Sequence, residues 1–202
     1  MKTYIWTWPT RLFHWMLAVG FTAAFLLGGE EEFINWHAAF GTLVGCLVLF
    51  RILQGFTGPK YARFRDFPVS PASLVAFLKD MKQSKATHAG HNPAAAVVML
   101  GIMVTAILSA FSGMMIFAGG ETGFMGIKMT MGSGSELFEE FHEVIVHVFL
   151  ALVGFHLMGI LVDTLFHPAS GTIFSIFTGY KKIRAEDAKP TIFHKIFSIF
   201  WF

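Results

Sequence analysis

The chain has 202 residues, 54% of them hydrophobic and only 14% charged, whereas a soluble domain of this size carries roughly a quarter charged residues. The apolar residues come in blocks, so lipid rather than water is the expected solvent. A formal net charge of +2 gives a nucleic-acid partner no footing. The single cysteine, Cys46, excludes intrachain disulfides and any CxxCH motif for covalent haem attachment, and within its apolar run it reads as a small packing residue.

Four stretches reach the roughly 17–25 residues that a membrane helix needs. The first, Leu12–Gly29, lacks the short core and small-residue cleavage site of a signal peptide and is expected to be a retained helix. The second, Trp36–Phe56, is interrupted only by Arg51 near its end. The third, Pro93–Ala118, opens on a proline in the position helices tolerate best. The fourth spans Phe138–Phe166. Between the second and third lies a connector with Pro59, Pro68 and Pro71, in which Leu74–Met81 is expected to form a short surface helix. Two apolar segments too short to cross, Thr172–Thr178 and Thr191–Phe202, read as interfacial pieces. The whole, residues 1–202, is expected to be one all-α membrane domain, a bundle of four transmembrane helices at about 12–29, 36–56, 93–118 and 138–166.

Charge alternates between the loops. Glu30, Glu31 and Glu32 occupy the first, and the third holds one cation, Lys128. The connector instead carries Lys60, Arg63, Arg65, Lys79, Lys82 and Lys85, and the tail carries Lys181, Lys182, Arg184, Lys189 and Lys195. Lys2 and Arg11 precede the first helix. The positive-inside rule then puts both termini and the connector in the cytoplasm.

Histidine inside a membrane span is costly and marks function. The chain has nine: His14, His37, His88, His91, His142, His147, His156, His167 and His194. His142 and His156 fall on nearly one face of the fourth helix, about 40° short of four full turns, and are separated by about 21 Å along its axis. Two ligands on one face, one near each surface, suit two haems stacked across a bilayer, and no single ion reaches both. By depth, His37 at the outer end of the second helix pairs with His142, and His14 at the inner end of the first pairs with His156. Zinc wants three or four clustered ligands, which two depths forbid. Bis-histidine ligation leaves no open coordination position and so favours electron transfer over oxygen chemistry. His147 is rotated about 140° from His142 and faces elsewhere. His167, before Pro168, reads as a surface or propionate contact, and His91 as a cap or surface contact. Haem propionates need cations. Arg11, Arg51 and Arg63 lie toward the cytoplasmic side, and Arg51 is the leading candidate, with lipid snorkelling or an Arg51–Asp163 pair as its competing role. Gly41 and Gly45 form a small-xxx-small pair that admits either a helix or a flat porphyrin.

Several stretches are shared with a known family: Arg11-Leu12-Phe13-His14-Trp15, Trp36-His37 with Gly41, Phe50-Arg51, Gly55-Phe56-Thr57-Gly58-Pro59, Tyr61-Ala62-Arg63-Phe64, Gly90-His91-Asn92-Pro93, Ser112-Gly113, Phe141-His142-Glu143, Phe155-His156 and Thr178-Gly179-Tyr180-Lys181. Nearly the whole chain thereby resembles the bacterial cytochrome b561 family, above all the small b-type subunits that accompany nickel–iron hydrogenases and periplasmic c-type cytochromes. The resemblance implies two protohaems on His14, His37, His142 and His156. It also implies a multi-pass place in the bacterial inner membrane and electron transfer between a periplasmic hydrogenase or c-type cytochrome and the quinone pool. His147 departs from the family pattern. The alternative reading is a stand-alone superoxide:quinone oxidoreductase, a related branch that lacks the Ala62-Arg63-Phe64 loop and the Gly90–Pro93 motif. The acidic first loop is placed to steer a basic redox partner.

Overall fold

The computed structural model describes residues 2–80, 88–119 and 134–189. Lys82, Lys85, Lys128 and the interfacial segment Thr191–Phe202 lie outside these residues. The described chain is helical: α1 (Trp8–Leu27), α2 (Ile34–Thr57), α3 (Pro71–Asp80), α4 (Pro93–Gly119), α5 (Gly134–Phe166) and α6 (Thr172–Thr178). β1 (Thr3–Tyr4) pairs antiparallel with β2 (Tyr180–Lys181), Thr3 opposite Lys181 and Tyr4 opposite Tyr180. Among the described residues, α1, α2, α4 and α5 are long and apolar enough to cross a membrane. The architecture is therefore that of an all-α, four-helix membrane protein. Only 6% of the apolar window of α5 is buried, and Leu157, Leu161 and Leu165 stand exposed, as a helix solvated by lipid requires.

The helix ends differ from the apolar runs because capping, not hydropathy, sets the first turn. α1 starts at Trp8 rather than Leu12. Thr7 lies before it, with its carbonyl accepting from Arg11 N at 3.1 Å and its hydroxyl 3.0 Å from that of Thr10. Pro9 sits in that first turn, where the absent N–H costs nothing. α4 is capped by Asn92, whose Oδ1 accepts from Ala95 N at 2.8 Å. α5 starts at Gly134, with Glu136 in a first turn whose dipole favours a carboxylate. α3 and α6 fall on the short segments expected at the surface, and α3 begins at Pro71 behind Ser70, whose hydroxyl accepts from Ser73 N.

Packing groups the residues into two compact units. Of the described residues, the first contains 2–14, 51–80, 88–100 and 154–189; the second contains 15–50, 101–119 and 134–153. Helix packing alone builds the second. Phe149, 3% exposed, stacks on Phe21 with ring centroids 4.2 Å apart. A Cβ on Gly45 would lie 3.0 Å from that of Ala110, so the glycine lets α2 and α4 approach closely. A Cβ on Gly41 would meet nothing within 4 Å. Of the two small residues, then, Gly45 serves a neighbouring helix and Gly41 leaves room beside His37.

The first unit is a helix-end assembly closed by irregular chain. Gln54 Nε2 donates to Thr10 Oγ1 at 3.2 Å, tying α2 to α1. The segment after β2 wraps the amino terminus: Thr3 Oγ1 donates to Ile183 O at 2.6 Å, and Ala188 N to Tyr4 O at 2.8 Å. Lys60 bridges to Glu186 at 2.6 Å. Tyr61 holds a left-handed φ of 73°, a conformation that costs a non-glycine residue about 1–3 kcal/mol. It is secured by its hydroxyl donating to Glu186 O at 2.6 Å and its amide to Asp66 Oδ2 at 3.3 Å.

Candidate functional site: two histidine pairs

In the second unit, His37 stands in the first turns of α2 and His142 in α5, with ring centroids 6.1 Å apart and planes at 79°. His37 Nδ1 lies 2.8 Å from Ala24 O. A carbonyl only accepts, so Nδ1 carries the proton and Nε2 keeps its lone pair. A Cβ on Gly28 would come within 2.9 Å of that Nδ1, so the turn ending α1 needs glycine there for the imidazole to fit. His142 Nδ1 lies 2.9 Å from Ser112 Oγ. The Ser112 hydroxyl, fully buried, has one proton and faces the carbonyls of Leu108 at 2.9 Å and Ser109 at 3.1 Å. That proton goes to a carbonyl, and the oxygen accepts from His142 Nδ1–H, again leaving Nε2 to ligate. A Cβ on Gly113 would lie 3.1 Å from His142 Cε1, so Ser112-Gly113 is one device: the serine sets the tautomer and the glycine makes space.

In the first unit, His14 of α1 and His156 of α5 have ring centroids 6.4 Å apart, with planes at 51°. The same unit holds a cluster of polar and aromatic residues. Arg51, only 2% exposed, lies with its guanidinium 5.5 Å from the Phe64 ring centre and 5.9 Å from that of Phe67. Its Nη1 is buried without a hydrogen-bond partner. A buried arginine nitrogen without an acceptor is costly, which marks a place for an anion. The Asp163 carboxylate lies 3.3 Å from His167 Nδ1, and no ion pair joins it to Arg51 among the described residues. Arg11 donates to the Phe177 carbonyl at the end of α6 and lies 5.4 Å from the Trp8 ring centre, with its Nε buried and unpartnered.

The Gly90–Pro93 motif also resolves residue by residue. A Cβ on Gly90 would lie 3.2 Å from the Tyr61 ring, Asn92 caps α4, and Pro93 opens it. His91 is half-buried. Its ring is gripped between Phe67 at 4.8 Å and Trp6 at 5.0 Å, with Nδ1 buried and unpartnered. Burial first, then the positive charges of Arg51 and Lys181 and the nearby His156, hold its pKa well below 6.5, so the ring is neutral. Burial likewise lowers the pKa of Lys181, partly offset by Asp163.

Two imidazole nitrogens sharing one metal at about 2 Å each, with roughly 1.1 Å from each nitrogen to its ring centre, put ring centres about 6.2 Å apart. Both pairs have that spacing. Among the described residues, no group of three or more His, Cys, Asp or Glu side chains could hold a metal ion, so each pair suits a metal whose other donors come from a macrocycle. The free Nε2 atoms of His37 and His142, the room at Gly41 and the unpartnered Arg51 nitrogen fit a haem. The chain matches prokaryotic cytochrome b561 over residues 5–179. It belongs to that family. The protein is accordingly a multi-pass protein of the bacterial inner membrane whose family function is transmembrane electron transfer through b-type haem. No curated protein and no solved structure matches the chain.

All four expected histidines fall into the two expected pairs, and Arg11, Arg51 and Arg63 lie in the first unit, Arg63 paired with Asp66 at 2.9 Å. His147 stands apart, exposed, with Nδ1 bonded to Glu143 O at 2.8 Å. His167 is engaged by Asp163. Sequence reasoning gave no role to Ser112, Gly28, Gly113 or the His91 clamp. Ser112-Gly113 was visible as a motif, but a hydroxyl bond from α4 to α5 is a through-space relation.

Proposed function

We propose that the chain binds two b-type haems, one between His37 and His142 and one between His14 and His156. It passes electrons between a periplasmic redox protein, a hydrogenase or c-type cytochrome, and membrane quinone. The carrying observation is the spacing of the two imidazole pairs, 6.1 and 6.4 Å between ring centres. Each haem, when bound, supplies a one-electron iron couple. The protein's part would be to offer each haem two imidazole nitrogens, which would leave its iron no open position for oxygen. Ala24 O and Ser112 Oγ fix the imidazole tautomers and keep the nitrogens basic. Arg51, and Arg11 through its remaining nitrogen, meet propionate charge. The basic connector and tail, against the acidic first loop, support cytoplasmic termini.

The test is a pyridine haemochrome determination on the purified chain. Two haems per chain are expected; one would break the pairing, and none would remove the haem reading. Rapid haem reduction by superoxide in the isolated protein, followed by quinone reduction, would turn the assignment to the superoxide:quinone oxidoreductase.

A further inference from the structure

Two of the buried side-chain nitrogens in the first unit that lack a hydrogen-bond partner pack on one and the same ring. Arg51 Nη1 and His91 Nδ1 are both buried and unpartnered. Both groups pack on the same ring: the Arg51 guanidinium is 5.9 Å and the His91 imidazole 4.8 Å from the centre of Phe67. Arg51 cannot shed its proton in a protein, and its 2% exposure denies it water. A neutral imidazole carries a single N–H. The His91 ring cannot turn away to find a partner elsewhere, because Trp6 closes its other side at 5.0 Å. Trp6 is itself pinned by Nε1 donating to Ser175 Oγ at 3.1 Å. The turn before His91 is held as well, with Lys181 Nζ donating to His88 O at 3.2 Å and Gly90 O at 3.3 Å. A cationic fork and a neutral donor, both held in place and each with a buried nitrogen, form a receptor for one carboxylate. The receptor and the His14/His156 pair belong to the same unit, and His156 is near enough to act on the charge of His91.

We infer that Arg51 and His91 together bind one propionate of the haem held by His14 and His156, Arg51 by a charge-assisted bond and His91 through Nδ1–H. The assignment rests on the di-haem reading above and adds to it a donor that lies outside the membrane helices. It also gives the Trp6 and Phe67 rings a purpose: they orient the imidazole so that its Nδ1 faces the acceptor rather than solvent. His91 is a positioning and charge-stabilising residue, not a ligand to iron.

The test uses full-length protein in membranes, with haem carrying 13C-labelled propionate carboxyls. Two quantities are read: the midpoint potential of each haem and the labelled carboxylate bands in redox-difference infrared spectra. In Arg51→Gln, loss of a cation beside the haem lowers the midpoint potential of one haem only, and a labelled band moves. His91→Ala moves a labelled band and lowers the same potential by a smaller step, with both haems still bound. His91→Asn, whose amide nitrogen takes the place of Nδ1, returns band and potential toward their original positions. Should His91→Ala fail to accumulate, Arg51→Gln and His91→Asn decide. Two haems with unmoved labelled bands in His91→Ala, or in Arg51→Gln where the alanine variant is lost, overturn the assignment and leave the di-haem reading intact. A wild-type chain without haem overturns the di-haem reading itself.

Discussion

The two units solve the same problem, holding a pair of imidazoles at about one metal's width, with different materials. In the second unit the groups that orient the pair come from helices and the turn that ends one of them: a carbonyl of α1, a hydroxyl of α4, and glycines at positions 28 and 113 that leave the rings room. In the first unit the surroundings are assembled from helix ends and irregular chain. Trp6, Phe64, Phe67, His91 and Lys181 all come from outside the spanning helices. The difference follows from solvent. A polar group on a membrane-spanning helix finds its partner on a neighbouring helix, whereas irregular chain beside a helix end can bring charged and aromatic side chains. One pair is thus set by neutral hydrogen bonds, and the other shares its unit with a buried arginine and a buried lysine.

That contrast can be broken outright by removing ligands. His142→Ala and His156→Ala are each expected to abolish one haem, halving the haem per chain by pyridine haemochrome, and the double variant to abolish both. If either single variant empties both pairs, the two sites are not separable and the contrast fails. Next in size is Gly113→Val. The added Cβ would already lie 3.1 Å from the His142 ring, and the branched methyls force the ring aside. The expected result is heavy loss of the haem on His37 and His142, with the other retained, as a single remaining step in a redox titration would show.

Ser112→Ala leaves the space but removes the acceptor for His142 Nδ1–H. Outer-shell losses of this kind typically cost about 10–100-fold in affinity, and haem transfer to apomyoglobin should show that acceleration for one haem of the two. The smallest effect is expected from His147→Ala. This imidazole is exposed and bonded to its own helix, so haem content and both potentials should stay at wild-type values. A lost haem there would mean that the second unit has a ligand its geometry does not reveal.

Much of this was readable in one dimension. Apolar runs of membrane length located the four long helices, because hydrocarbon thickness sets helix length regardless of neighbours. The helical repeat put His142 and His156 on one face, and depth counting matched them to His37 and His14, because a continuous helix converts sequence number directly into direction and height. Charge asymmetry supported an orientation in the same way. The starts of α1 and α5 were less legible, since a cap such as Thr7 or a carboxylate such as Glu136 acts through hydrogen bonds and the helix dipole, which hydropathy does not register.

Only the tertiary structure decided what surrounds the histidines. That Ser112 receives the His142 proton, that Gly45 serves helix packing while Gly41 stays open, and that Asp163 takes His167 rather than Arg51 all depend on side chains far apart in sequence. His91 shows the limit most plainly. Its motif reads as a helix start, and its neighbours Asn92 and Pro93 do start a helix, but its ring is clamped by Trp6 and Phe67 beside a buried arginine. Periodicity specifies which way a residue points from its own helix. What it meets there is fixed by how the other segments fold over it, and in this protein that is what separates a surface histidine from a buried donor.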